Sequence, residues 1–157
     1  VRVVEWYQKL IRMVGWKLSA MAPASSAISN LIMSDQGKQD VRRSNCCVMD
    51  CGRQGVRLYF YQKGLLFAKR GLEFCDTEER LLFELEKIWD YYQTCYPGYI
   101  PELIYVTGGK RNPLLEAAIT ERLEAECCDW TKLLDNSQES VRGLISAEAA
   151  GITFWKG

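Results

Sequence analysis

Four short apolar runs and one long amphipathic stretch, met in a fixed order, constrain this chain more than any other feature of it. Cys46-Cys47-Val48-Met49, residues 56–61 and residues 65–74 are rich in branched and aromatic side chains. Tight turns at Gly52 and at Lys63-Gly64 separate them, so they read as three sequential antiparallel strands. Asp76, with Glu79 three residues on, then opens a helix in the manner of a capping box. Leu81, Leu82, Leu85, Ile88, Trp89 and Tyr92 carry its apolar stripe toward Cys95, and Pro97-Gly98 stops it. A fourth run, Leu103-Ile104-Tyr105-Val106, follows. A strand reached through a helical crossover must lie parallel to a neighbour. The order therefore predicts an α/β fold, a mixed sheet of three antiparallel strands extended by parallel strands and flanked by helices.

The rest of the chain frames that sheet. Val3, Tyr7, Leu10, Ile11 and Val14 recur at helical spacing, with Gly15 where a C-cap glycine belongs. Residues 16–20 alternate as a short strand. Pro23 starts a second helix whose apolar face is Ala27, Ile28, Leu31 and Ile32. The polar stretch 34–45 reads as a surface connection, with a solvated Arg42-Arg43 pair. Beyond the fourth run, Pro113 opens a helix with Leu114, Leu115, Ala118, Ile119 and Leu123 as its buried stripe. A weak strand near residues 127–130 and a small-residue helix over 141–154 complete the chain. There is no internal repeat.

Composition removes several function classes. Twenty basic residues balance twenty acidic ones in 157 residues, so no overall field draws in nucleic acid or an acidic membrane. The longest apolar runs fall far short of the roughly 20 residues that span a bilayer, so no direct membrane insertion is expected. Seven cysteines accompany no histidine. Their count is odd, and adjacent pairs such as Cys46-Cys47 and Cys127-Cys128 lack the spacing of a zinc knuckle, so they read as small buried thiols of a reducing compartment. Without histidine, chemistry would have to rest on carboxylates, backbone dipoles and a bound metal-nucleotide. The chain opens on Val1 rather than Met, which is the expectation for a fragment or processed form of a longer protein.

Two of the apolar runs end in glycine bends, Asp50-Cys51-Gly52 and Thr107-Gly108-Gly109, where backbone can approach a phosphate or a nucleoside. Either bend alone reads as an ordinary turn, and Asp50 alone as a turn-forming Asx residue. Their order and context resemble the ribonuclease-H-like second lobe of actin-like ATPases. The likeness is strongest to the PilM family of type IV pilus assembly, with the cell-division FtsA family a more distant relative. Cys47-Val48-Met49-Asp50-Cys51-Gly52 resembles the family's second phosphate motif. The helix through Trp89-Asp90-Tyr91-Tyr92 is similar to one ending in paired tyrosines. Ile104-Tyr105-Val106-Thr107-Gly108-Gly109 with Pro113 resembles the adenosine motif, and Ala147-Glu148-Ala149-Ala150-Gly151 a closing small-residue helix. One lobe is implied over 1–157, with 1–44 leading into a core at 45–157.

The resemblance implies a site. Asp50 would hold magnesium through water, and the amides of Gly52, Arg53, Gln54 and Gly55 would face a phosphate. Gly108 and Gly109 would lie flat against adenine or ribose, with Lys110 and Arg111 flanking the base or staying in solvent. ATP and magnesium are the implied ligands of the full-length protein, with none held tightly by this stretch alone. Two departures stand out: the family's first phosphate motif has no counterpart here, and Gly52-Arg53-Gln54-Gly55 lacks the small hydroxyl residues often found in the second. Glu84 and Glu86 read as solvated charges, Tyr91 and Tyr92 as helix-packing groups. The implied function is a cytoplasmic scaffold, peripheral to the inner membrane. Its partners would be other pilus-platform proteins, including an inner-membrane partner's cytoplasmic tail. Alternatives are the cytoplasmic domain of a type II secretion platform protein, or a phosphotransferase of the sugar or acetate kinase type.

Overall fold

Strand β1 (Asn45–Cys51) is the hub of the five-stranded sheet that the described residues form. In the computed structural model, which describes residues 2–15, 23–33, 41, 44–73 and 77–133, β1 pairs antiparallel with β2 (Gly55–Gln62), and β2 with β3 (Leu65–Glu73). On its other side β1 pairs parallel with β4 (Leu103–Thr107), and β4 with β5 (Glu126–Asp129). The sheet order is β3-β2-β1-β4-β5, the mixed sheet expected from the crossover rule. A central strand covered on both faces is apolar at successive positions rather than at alternate ones, which is why residues 46–49 carry no polar side chain.

Alternation sends the strand side chains to two cores. Cys47, Met49, Leu58, Phe60, Ile104 and Val106 face the helices α3 (Glu78–Cys95) and α4 (Pro113–Leu123). Cys46, Val48, Tyr59, Tyr61 and Tyr105 face α2 (Ala24–Met33) through Ile28, Leu31 and Ile32, and meet Trp130 and Leu133 of the 3-10 turn that follows β5. Phe60 centres the first core, with its ring 4.5 Å from Tyr92 and 5.9 Å from Trp89. The Tyr99 hydroxyl donates to the Tyr61 carbonyl at 3.1 Å and pins the loop after α3 to the sheet.

Three local expectations change. The cap of α3 is Thr77, whose side chain accepts from the Arg80 amide, rather than the neighbouring Asp76, which lies outside the described residues. In α4 the buried stripe is Leu115, Ile119 and Leu123, while Leu114 is 77% exposed. Helix α1 (Arg2–Met13) forms as its spacing predicts, with Gly15 just beyond it at φ of +74°, and its Trp6, Tyr7, Leu10 and Met13 are exposed. Tyr92 packs in the core as expected, but Tyr91 beside it is exposed. The strand expected over 16–20, most of the connection before β1 and the helix over 141–154 fall outside the described residues. Cys46, Cys47, Cys51, Cys95, Cys127 and Cys128 are free thiols. Among the described residues no cluster of three metal-ligating side chains occurs, and no helix is long and apolar enough to cross a membrane.

Candidate functional site

Parallel pairing of β1 with β4 sets Asp50 opposite Thr107, so both strands deliver their terminal bends to one rim. The bends touch. Gly108 has φ of +96°, and a Cβ there would stand 2.5 Å from the Cys51 carbonyl oxygen and 2.8 Å from Asp50 Oδ1. The Lys110 amide donates to the Cys51 carbonyl at 3.1 Å and locks the second bend onto the first. Gly109, by contrast, faces open space, and the Lys110 side chain is exposed.

The first bend is a closed hairpin turn. The Gly52 amide, expected at a phosphate, donates to the Gly55 carbonyl at 3.0 Å and closes the turn. Gly55 is demanded by packing, because a Cβ there would lie 2.0 Å from the Leu72 carbonyl oxygen of β3. Arg53 and Gln54 project from the tip into solvent. Beside them an open depression is bordered by Gly52, Arg53, Gln54, Arg57, Gly71 and Glu73.

Asp50 is 8% exposed, and across the ladder its register partner is Arg57. Arg57 Nη1 stands 3.6 Å from Asp50 Oδ2. Magnesium takes one or two carboxylates and completes its shell with phosphate and water. A guanidinium already at the only rim carboxylate of β1 competes for that oxygen and repels a second cation, so the donor set does not fit the expected magnesium role of Asp50.

A second ion-pair group sits on the same rim and was not legible in the sequence. Arg111 forks onto Glu116, with Nε–Oε1 and Nη2–Oε2 both 2.9 Å, and also pairs with Asp129 at the end of β5. Hydrogen bonding to Glu116 raises the Arg111 pKa further above its ordinary value. Arg111 is thus committed to the protein and does not flank a base. Asp129 is pushed up by burial, but hydrogen bonds from Thr131, then from Arg111, outweigh that and hold its carboxyl below the ordinary value. Glu84 pairs with Lys87 and Glu86 with Arg122, as solvated charges should.

No known family profile and no curated protein matches the chain. Solved structures do. One described as the PilM-PilN type IV pilus biogenesis complex aligns over 94% of this chain and 56% of its own, with TM-score 0.69 and 16% identity. A protein from Bacteroides thetaiotaomicron with actin-like ATPase fold and unknown function covers 85% of this chain and 45% of its own, at TM-score 0.53 and 12% identity. The ethanolamine utilization protein EutJ from Carboxydothermus hydrogenoformans covers 85% and 59%, at TM-score 0.55 and 13% identity. Identities this low speak for the fold. The chain has the ribonuclease-H-like fold of actin-like ATPases and spans about half the length of these structures.

Proposed function

We propose that this chain is a lobe of a PilM-like scaffold of the type IV pilus platform, which works by binding protein partners and uses a nucleotide as a conformational ligand. The observation that carries the reading is the shared rim: β1 and β4 end side by side, and there Gly109 presents backbone to open space that no internal contact requires. In open α/β sheets ligands sit at the carboxyl ends of the strands, and that rim is where backbone alone is exposed, at Gly109. The overlap with a PilM-PilN complex supports a protein partner, of which the cytoplasmic tail of an inner-membrane platform protein is the proposed type. Such a protein is cytoplasmic and joins the membrane through that tail. The nucleotide acts by binding, and no residue is assigned a catalytic role.

Calorimetry on the whole protein tests this, using a synthetic peptide of that tail from the same organism, with and without ATP. The expected result is saturable peptide binding whose affinity ATP changes at least about fivefold. Arg53→Glu, at the solvent-facing tip of the bend, should remove the ATP effect and leave peptide binding unchanged. Wild-type protein that ignores the peptide refutes the scaffold role, and an ATP effect untouched by Arg53→Glu removes the bend from the nucleotide site.

A further inference from the structure

We propose that the rim takes a nucleoside polyphosphate without a divalent metal, the guanidinium of Arg57 supplying the positive charge that magnesium would otherwise bring. This rests on the reading of the rim as a nucleotide site. Arg57 stands 3.6 Å from Asp50, with 59% of its side chain exposed against 11% for Asp50. The pair is therefore a buried acid capped by a solvent-facing cation, whose guanidinium stays against Asp50 and keeps its outward donors open to a ligand.

The surroundings leave room for a ligand beside it. The cross-strand partner of Arg57 is Gly71, and nothing lies within 4 Å of where a Cβ on Gly71 would be. Arg57 also borders the depression beside the hairpin turn, and Arg53 borders it at the tip, so two arginines lie along one concave surface. Glu73 borders the same depression and has an interaction partner of its own. Guanidinium presents a planar fork of donors that matches phosphate oxygens two at a time and cannot lose its charge near neutral pH, so it replaces a metal as counter-charge without needing a ligand shell. A magnesium ion bridging Asp50 to a phosphate would have to displace Arg57 or tolerate it alongside.

The test is ATP binding to the whole protein, followed by calorimetry in magnesium and again in EDTA. The expected wild-type affinity in EDTA lies within about threefold of that in magnesium. Arg57→Gln should lose at least about tenfold in EDTA, the scale of one charge-assisted fork, and recover part of it in magnesium. Arg57→Lys, which keeps charge but not the fork, should fall between. Circular dichroism checks folding, and Arg57 is exposed enough for all three proteins to fold alike. A wild type that needs magnesium, binding more than tenfold weaker in EDTA, overturns metal-free recognition and leaves the nucleotide rim standing. An Arg57→Gln protein that matches wild type in EDTA overturns it too. Wild type that binds in neither condition overturns both readings.

Discussion

Gly108→Ala is the substitution that most directly probes the contact on which the site depends. The native φ of +96° is one that L side chains rarely adopt, and holding a non-glycine residue in such a region costs about 1–3 kcal/mol. The new methyl would meet the Cys51 carbonyl oxygen at 2.5 Å, the Cys51 carbonyl carbon at 2.8 Å and Asp50 Oδ1 at 2.8 Å. The carbonyl is backbone at the end of a buried central strand and cannot withdraw alone. Separating the bends also breaks the bond from the Lys110 amide to Cys51, worth about 1 kcal/mol net. Reduced freedom of the unfolded chain returns about 0.4–1 kcal/mol. The net loss is about 1–4 kcal/mol, which at a urea m-value of about 2 kcal/mol/M lowers the unfolding midpoint by roughly 0.5–2 M. Gly109→Ala is the matched control, since its Cβ would meet nothing within 4 Å. It should stay within about 0.5 kcal/mol of wild type. Equal midpoints for the two variants would refute the packing of one bend on the other.

Two further outcomes follow from the thiols and the rim acids. Burial pushes the Cys46 and Cys51 thiols up to about 12 and raises Cys47 as well, whereas Cys95 is exposed; a thiol reagent at pH 8 should therefore label Cys95 before Cys46, Cys47 and Cys51 in the native protein, and peptide mapping that finds Cys46 or Cys47 modified as fast would contradict the buried strand. Asp129 accepts from the Thr131 hydroxyl at 2.6 Å and amide at 2.9 Å and has a lowered pKa. A group held below its unfolded value stabilises fully above that value, about 3.9 for Asp, and loses the contribution as pH falls through the folded value. Thr131→Val should thus unfold at lower urea than wild type at pH 7, with the gap narrowing below about pH 4; a gap of constant size would mean the hydroxyl does not act through the charge on Asp129.

The shared end of β1 and β4 was legible because it follows from chain order: a helical crossover makes two strands parallel, and parallel strands end on the same side. What lay beyond the sequence was lateral register. Asp50 meets Arg57 only because the hairpin closes between Cys51 and Val56, and a shift of one residue would turn Arg57 to the opposite face of the sheet. The pairing of Arg111 with Asp129 needed β5 to stand beside β4, which a four-residue strand signals weakly. In α4 the stripe at Leu115, Ile119 and Leu123 keeps a spacing of four residues, and Leu114 sits off it in the first turn, where two adjacent leucines give periodicity no means of choosing between them. Asp76 and Thr77 present the same ambiguity, since both residue types cap helices and only backbone geometry assigns the role.

The glycines of the two bends separate fold from function in a way the motif alone does not. Gly55 is required by the carbonyl of Leu72 in β3, and Gly108 by Cys51 and Asp50, so both would be needed in a protein that bound nothing. Their presence is evidence for the hairpin and for the junction of two strands. Gly109 has no such internal reason: open space surrounds its Cβ position on the exposed side of the same rim. If a nucleoside lies on this rim, Gly109 is where its flat face meets backbone, and a methyl there costs the fold nothing while lifting the ligand away from the peptide plane. The residue with the weakest structural role is therefore the one whose identity speaks most directly for a ligand, whereas the glycines that make the motif recognisable speak for the sheet.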